Sequence, residues 1–186
     1  MKIIPLYTNE KLLIQKASQG DRTAQYGLYK KYAPSMLAVC RRYVKDLQYA
    51  EDVSIQAFLK VFLQLNTYKG KGSFEGWIKR IMINESINFL KKKREQFLDN
   101  RSIVIEKSAR SKVNMKTDAD YLLKLIDRLP DTCRYVFILH AMDGYKHSEI
   151  AELLEISVSA SKLKLSKARR ILQQKLKTYR KRYESF

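Results

Sequence analysis

The sequence is poor in the residues that support disulfide bonds or metal sites. It has only two cysteines, Cys40 and Cys133, and only two histidines, His140 and His147, among its 186 residues. The cysteines are far apart and each lies within an apolar helical pattern, so we expect buried free thiols. Neither histidine has ligand spacing to a cysteine or to the other histidine. We therefore predict that the protein binds no metal and no cofactor.

Long apolar runs are also missing. No window approaches the roughly 18 uninterrupted apolar residues of a membrane-spanning helix. The N-terminal segment MKIIPLYTNEKLL is interrupted by Pro5 and by charged residues before a signal-like apolar core develops. These absences disfavour a membrane protein, and we expect a cytoplasmic one.

A catalytic constellation is not visible either. The sequence shows no nucleophile with a matching base and no paired carboxylates. The loop that contains Gly70 and Gly72 lacks the GxxxxGK[ST] pattern of a nucleotide site. We therefore expect neither an enzyme nor a protein with a small-molecule substrate.

Positive charge, in contrast, is abundant. The chain has 37 lysines and arginines against 19 acidic residues, which gives a formal net charge of +18. Such an excess favours a polyanionic partner, above all a nucleic acid. The apolar content of 45% supports packed cores, and the length suits two small domains.

The N-terminal half has a helical pattern. From Glu10 to about Phe97, apolar residues recur at spacings of three and four with few helix breakers. Asp21, Asp46 and Ser73 are each expected to cap a helix, and Pro34 to open a new one after Tyr32. We therefore predict an all-α fold, with a glycine-containing loop from Tyr68 to Ser73.

A polar and basic segment separates the two halves. The apolar pattern dissolves from about Leu98 to Thr117 and resumes at Asp118. Pro130 is expected to end the next helix, and Asp131 to cap the one that follows. We predict two small helical domains, residues 1–97 and 118–186, joined by a flexible linker over residues 98–117.

The stretch from Leu129 to Arg170 has the pattern of a helix-turn-helix. Two apolar helices flank a turn at Gly144, and a basic helix follows, with no acidic residue from Lys162 to Arg182. This order presents a cationic helix to the major groove of DNA. Ser157 is expected to cap this helix. The residues predicted to contact duplex DNA are Ser157, Ser159, Ala160, Lys162, Leu163, Lys164, Ser166 and Lys167.

An aromatic and basic cluster surrounds the Tyr68–Ser73 loop. Aromatic faces stack on unpaired bases and cations contact phosphates, so the cluster suits single-stranded nucleic acid. Trp77 shares a helical face with Ile81, which favours a core position for it. Tyr68 and the loop are the better contact candidates.

In this order, the motifs resemble the extracytoplasmic-function class of bacterial RNA polymerase sigma factors over nearly the whole chain. In the first half, the polymerase-binding helix of the family resembles Ala50-Glu-Asp-Val53 with Phe58. The helix after the family's base-capturing loop resembles Phe74-x-x-Trp77-Ile78-x-Arg80-Ile81-x-x-Asn84. In the second half, Asp143-Gly144, Glu149-Ile150-Ala151 and Ile156-Ser157 resemble the helix-turn-helix that reads the −35 promoter element.

The resemblance implies a sigma factor that binds core RNA polymerase and promoter DNA and is commonly held inactive by an anti-sigma factor. Its first domain is expected to capture a flipped −10 base. The residues implied for this contact are Tyr68, Lys69, Gly70, Lys71, Ser73, Arg80 and Asn84. The residues implied for polymerase binding are Asp52, Val53 and Gln56.

Five positions depart from the family pattern. Ile55 and Gln56 stand where a Gln-Glu pair is usual, Ser161 where a buried valine is common, and Leu163 where a serine is common. Lys146 stands where a small hydroxyl residue often caps the scanning helix. The loss of the Gln-Glu pair keeps open a second hypothesis, a regulator that binds duplex DNA without acting in initiation. An enzyme acting on nucleic acid is the third hypothesis.

Overall fold

The computed structural model describes residues 9–99 and 118–183, and every regular element in those ranges is helical. The predicted all-α class is therefore confirmed. The chain divides into two units, Met1–Ser108 and Ala109–Phe186. Most of the predicted linker lies outside the described residues. Its first two residues, Leu98 and Asp99, belong to the last helix of the first unit.

Four α-helices form the first unit. They are α1, Glu10–Ser18; α2, Arg22–Tyr43; α3, Leu47–Leu63; and α4, Phe74–Asp99, with a 3₁₀ turn at Leu65–Thr67 after α3. The three predicted caps are present. The Asp21 carboxylate accepts hydrogen bonds from the backbone N–H groups of Thr23 and Ala24, at 2.8 and 3.1 Å. Asp46 accepts one from the N–H of Tyr49 at 3.0 Å, and Ser73 Oγ one from that of Gly76 at 3.1 Å.

The predicted helix boundary at Pro34 is wrong, because α2 continues through this residue. Proline cannot donate a backbone hydrogen bond, so the helix has one bond fewer here. The apolar side of α2 is buried on both sides of Pro34, with Leu28 and Tyr32 before it and Met36 and Val39 after it. We infer that this burial offsets the cost of the interruption.

The second unit contains the remaining four α-helices. They are α5, Asp118–Asp127; α6, Asp131–Phe137; α7, His147–Leu154; and α8, Val158–Tyr183, with a π-helical turn at Ile138–Met142 after α6. Pro130 occupies the N-cap position of α6 without a side-chain cap, and Asp131 lies in the first turn of the helix, so the predicted Asp131 cap is wrong. The core cluster joins Leu125 and Leu129 with Cys133, Ala168 and Leu172.

Both cysteines are free and buried, as predicted. Burial raises the pKa of the Cys40 thiol, whose Sγ lies 3.9 Å from Met82 Sδ. Within residues 9–99 and 118–183, none of the helices is both long and apolar enough to cross a membrane.

Candidate nucleic-acid interface

A tight turn joins α7 to α8. Glu155 adopts the left-handed conformation, with φ 54° and ψ 47°, and the N–H of Ile156 donates to the carbonyl oxygen of Ala151 at 3.0 Å. Ser157 Oγ then accepts a hydrogen bond from the N–H of Ala160 at 3.1 Å. The predicted cap is therefore present, and it fixes the point at which α8 begins.

The two sides of α8 differ sharply in burial. Ser161, Leu165, Ala168 and Leu172 face the core and are buried. The opposite side is exposed and brings together five of the residues predicted to contact duplex DNA: Ser159, Lys162, Leu163, Ser166 and Lys167. Leu163 is 72% exposed, which leaves an apolar side chain on a polar surface.

Two predicted contacts lie away from this exposed side. Ala160 is only half-exposed. Lys164 Nζ donates a hydrogen bond to Thr132 Oγ1 of α6 at 3.3 Å, so its charge is directed toward the neighbouring helix. Neither side chain is placed as well for a base contact as that of Lys162.

Sequence reasoning missed the contact that joins the beginning of α7 to α8. His147 Nδ1 lies 2.9 Å from Ser161 Oγ, which gives the fully buried serine a hydrogen-bond partner. The ring of His147 also stacks on that of His140, with centroids 4.5 Å apart. Partial burial, followed by the charges of His140, Lys162 and Arg169, lowers the pKa of His147.

An open groove lies between the beginning of α7 and the exposed side of α8. Its volume is about 440 Å³. Its polar lining residues are His147, Lys162, Ser166, Arg169, Arg170 and Gln173. Arg169 and Arg170 were absent from the predicted contacts, although the basic composition of α8 is the signal that could have identified them. The groove suits an anionic ligand because its charged lining residues are all cationic.

The loop before α4 folds against aromatic side chains. Tyr68 donates a hydrogen bond from its hydroxyl to the carbonyl oxygen of Gly72 at 2.9 Å, and its ring lies 5.1 Å from that of Phe74 and 5.5 Å from that of Trp77. Gly70 and Gly72 have φ values of 70° and 84°, which most side chains disfavour. The loop is thus held by Tyr68, one of its predicted contact residues.

The remaining predicted contacts to single-stranded DNA surround this aromatic group. Lys69, Lys71 and Ser73 are exposed on the loop. Arg80 is exposed and Asn84 half-buried on α4, where they follow Trp77 at spacings of three and four residues and so lie on one side of the helix. Phe74 is buried, whereas Trp77 is only half-buried and offers part of its indole ring to a ligand.

The candidate polymerase-binding residues on α3 differ in their solvent exposure. Asp52 and Gln56 are exposed, but Val53 is only 3% exposed and belongs to the core. The side chain of Val53 is therefore not available for the surface contact predicted for it. The exposed side of α3 carries three further apolar residues, Ile55, Leu59 and Leu63, which we call the α3 stripe.

Two family models match the chain. The model for sigma-70 region 2 matches residues 28–96, and the model for sigma-70 region 4 matches residues 119–172. The RNA polymerase sigma-H factor of Pseudomonas aeruginosa is 26% identical over 178 residues, which cover 88% of this chain and 92% of that protein. The ECF RNA polymerase sigma factor SigW of Bacillus subtilis is 25% identical over 177 residues, which cover 88% and 95%.

Two solved structures resemble the fold. One is the sigma factor RpoE in complex with the anti-sigma factor NepR from Bartonella quintana, with a TM-score of 0.57 and 21% identity over 80% of this chain and 94% of that one. The other is CnrH in complex with the cytosolic domain of CnrY, with a TM-score of 0.51 and 20% identity over 91% and 97%.

Proposed function

The chain belongs to the extracytoplasmic-function class of the sigma-70 family of RNA polymerase sigma factors, and we propose that it directs promoter-specific transcription initiation by core RNA polymerase. The observation that carries this proposal is the match to region 2 followed by region 4 along one chain. A regulator that binds duplex DNA alone needs only the helix-turn-helix and leaves the region 2 match over residues 28–96 without a role.

In this proposal, the exposed side of α8 reads the −35 duplex. The beginning of α8 enters the major groove, where Lys162 can donate to the acceptors of a guanine and Leu163 can contact the methyl group of a thymine. Ser159, Ser166 and Lys167 share this side of the helix. Ser157 acts through the cap that orients α8, and Lys164 through its bond to Thr132.

The aromatic group beside the Tyr68–Ser73 loop holds the melted −10 strand. Trp77 and Tyr68 offer partly exposed rings for stacking, which is worth about 1–3 kcal/mol per base. Arg80, Lys69 and Lys71 supply charge for the phosphates. Because these contacts form only with an unpaired strand, they shift the melting equilibrium toward the open promoter without chemical catalysis.

The α3 stripe docks on the polymerase, together with Asp52 and Gln56. A patch of three exposed apolar residues on one helix side is typical of a protein-binding surface. The stripe therefore compensates for the Gln-Glu pair that is absent at positions 55 and 56. Ile55, the residue that departs from the family pattern, becomes part of the contact.

The remaining proposals follow from membership in the family. We propose a polymerase-binding and −10 domain that ends with α4, a −35 domain at residues 118–186, and a linker between them. The chain works in the cytoplasm as a non-catalytic subunit. One structural neighbour, the sigma factor RpoE, is bound to the anti-sigma factor NepR, and we propose that an anti-sigma factor likewise restrains this chain.

In vitro transcription tests the proposal directly. Core polymerase from the same organism, combined with the full chain, should initiate at defined start sites on genomic templates, whereas core alone should not. A template whose −10 region is already mismatched should reduce the requirement for the aromatic group, because strand capture no longer has to drive melting. Binding to duplex DNA without initiation on any template would support the regulator instead.

A further inference from the structure

α8 continues well beyond the part of the chain that matches region 4. The match ends at residue 172, whereas the helix ends at Tyr183. At about 1.5 Å per residue, the 26 residues of α8 span roughly 39 Å, while the major groove of DNA is about 12 Å wide. If the first turns of α8 lie in the groove and the helix crosses it, the last turns lie outside it.

The turns after residue 172 are held by the core of the second unit. Leu172 is buried, and Leu176 packs against the same cluster, which includes Leu125 and Leu129. α8 is therefore a single rod at least as far as Leu176. The distance along the helix from Lys162 to Lys177 is consequently fixed at about 22 Å.

The exposed side of α8 remains cationic over these turns. Arg170, Gln173 and Lys177 follow Lys162 and Ser166 at spacings of three and four, and all five residues are exposed. The sequence from Ile156 to Tyr183 has no acidic residue, and Arg180, Lys181 and Arg182 lie near its end. A helix that is merely solvated usually mixes both signs of charge, so this bias favours an anionic ligand.

We infer that Arg170, Gln173 and Lys177 form a sequence-independent clamp on the DNA phosphate backbone beside the −35 element. The inference rests on the proposed function, because it places the first turns of α8 in the −35 groove. Arg170 lies about 12 Å along the helix from Lys162, which is close to the width of the groove. A helix that leaves the groove at this distance meets the phosphodiester strand at its edge.

Duplex DNA suits this surface better than an acidic protein does. The clamp continues the same helix side that reads the −35 bases, so DNA is already positioned along it. Duplex DNA carries one negative charge per about 1.7 Å of its axis, so phosphates are closely spaced along the strand that α8 meets. The clamp therefore needs no rearrangement of the second unit.

The salt dependence of DNA binding tests the clamp. The full chain is titrated onto a duplex of random sequence at several salt concentrations, and the slope of log K against log salt is measured. Lys177→Gln should lower the magnitude of this slope by about one and the affinity roughly five-fold at 0.15 M salt, because one phosphate contact is lost. Adding Arg170→Gln should lower the slope and the affinity again by similar amounts. The decreases should be equal on random and promoter duplexes.

Lys175→Gln is the matched control. Lys175 is exposed and carries the same charge, but it lies about 200° around the helix from Lys177. It should leave the slope nearly unchanged. If Lys175→Gln and Lys177→Gln lowered the slope equally, only the overall charge would matter and the clamp would be wrong. A slope that Lys177→Gln leaves unchanged would also overturn the clamp.

The outcomes for the clamp and for the sigma function are distinguishable. If the chain directs initiation but the clamp variants keep the full slope, the clamp is wrong and the proposed function stands. If the variants behave as expected but no template supports initiation, the clamp stands as a feature of a DNA-binding regulator. Unchanged unfolding midpoints show that the substitutions leave the fold intact.

Discussion

Two exposed helix sides of this chain differ in the kind of interaction they can make with a partner. The α3 stripe presents Ile55, Leu59 and Leu63, which are 53%, 60% and 83% exposed. The exposed side of α8 presents lysines and arginines instead. Apolar contacts gain free energy from buried area, whereas contacts to phosphates gain it from counterion release and weaken steeply with salt. The two surfaces should therefore respond to salt in different ways.

The difference also explains how a strongly basic protein can keep its partners separate. A net charge of +18 attracts nucleic acid to the molecule as a whole, so a docking surface made of cations would be occupied by DNA. The α3 stripe avoids this competition because it is apolar and flanked by the acidic Glu51 and Asp52. In the proposed function, it remains available to the polymerase while DNA is bound to the cationic surfaces.

The largest expected effect comes from removing the α3 stripe. Leu59→Ala together with Leu63→Ala should weaken binding to core polymerase by about 3 kcal/mol, at about 1.5 kcal/mol for each buried leucine. Both residues are exposed in the free chain, so its stability should change little. Duplex affinity and its salt slope should stay unchanged, which equilibrium binding to each partner measures.

Leu47→Ala serves as the control for this pair. Leu47 is also exposed on α3, at 46%, but it lies at the beginning of the helix and off the stripe. Its replacement should leave polymerase affinity intact. If the double variant binds polymerase as well as the unmodified chain does, the stripe is not the docking surface and the contrast with α8 disappears.

A smaller effect is expected from Lys162 at the beginning of α8. Lys162→Ala should reduce affinity for a −35 duplex by about 1–3 kcal/mol and relax specificity at one base pair, if the side chain reads a base. Lys164→Ala removes the same charge from a side chain bonded to Thr132 and should cost less. Equal losses on promoter and random duplexes would show that Lys162 contacts phosphate only.

The smallest expected effect is a pH dependence of the free energy of unfolding of the second unit. The pKa of His147 is lowered in the folded chain by partial burial and by nearby positive charges, including Lys162 and Arg169. The unfolded chain therefore binds this proton more readily, and the free energy of unfolding should fall as the pH drops from about 7 through the ordinary histidine pKa of about 6.5.

Denaturant unfolding at pH 7.5 and pH 5.5 measures this difference, and His147→Gln should reduce it. Glu10 in the first unit titrates in a separate window. Its hydrogen bonds from Lys31 and Tyr32 lower its pKa, so its contribution is lost only at more acidic pH. If His147→Gln left the pH dependence of the free energy of unfolding unchanged, the proton taken up on unfolding would belong to another group.

Local chemistry made part of this fold predictable. Asp21, Asp46, Ser73 and Ser157 each cap a helix as expected, because a cap depends on a side chain and a backbone N–H two or three residues away. The continuation of α2 through Pro34 was not predictable in this way. It depends on burial of the apolar side of α2 by other helices, which no local pattern reports.

The candidate surfaces were predictable to a similar extent. The period of α8 separates its buried leucines from its exposed cations, so most of its predicted DNA contacts lie together. α3 has apolar residues on both sides, and its sequence alone could not show that Leu59 and Leu63 face outward while Val53 is buried. The bond between His147 and Ser161 joins two helices and has no signature in the spacing of either residue.

The bond between His147 and Ser161 restricts how this sequence can diverge. Replacing Ser161 alone by valine removes the hydrogen-bond partner of His147 Nδ1, and replacing His147 alone by an apolar residue removes the hydrogen-bond partner of the fully buried Ser161 hydroxyl. Replacing both removes the two polar groups at once. We therefore expect the two positions to be epistatic, so that changing only one of them gives a less stable helix-turn-helix than changing both.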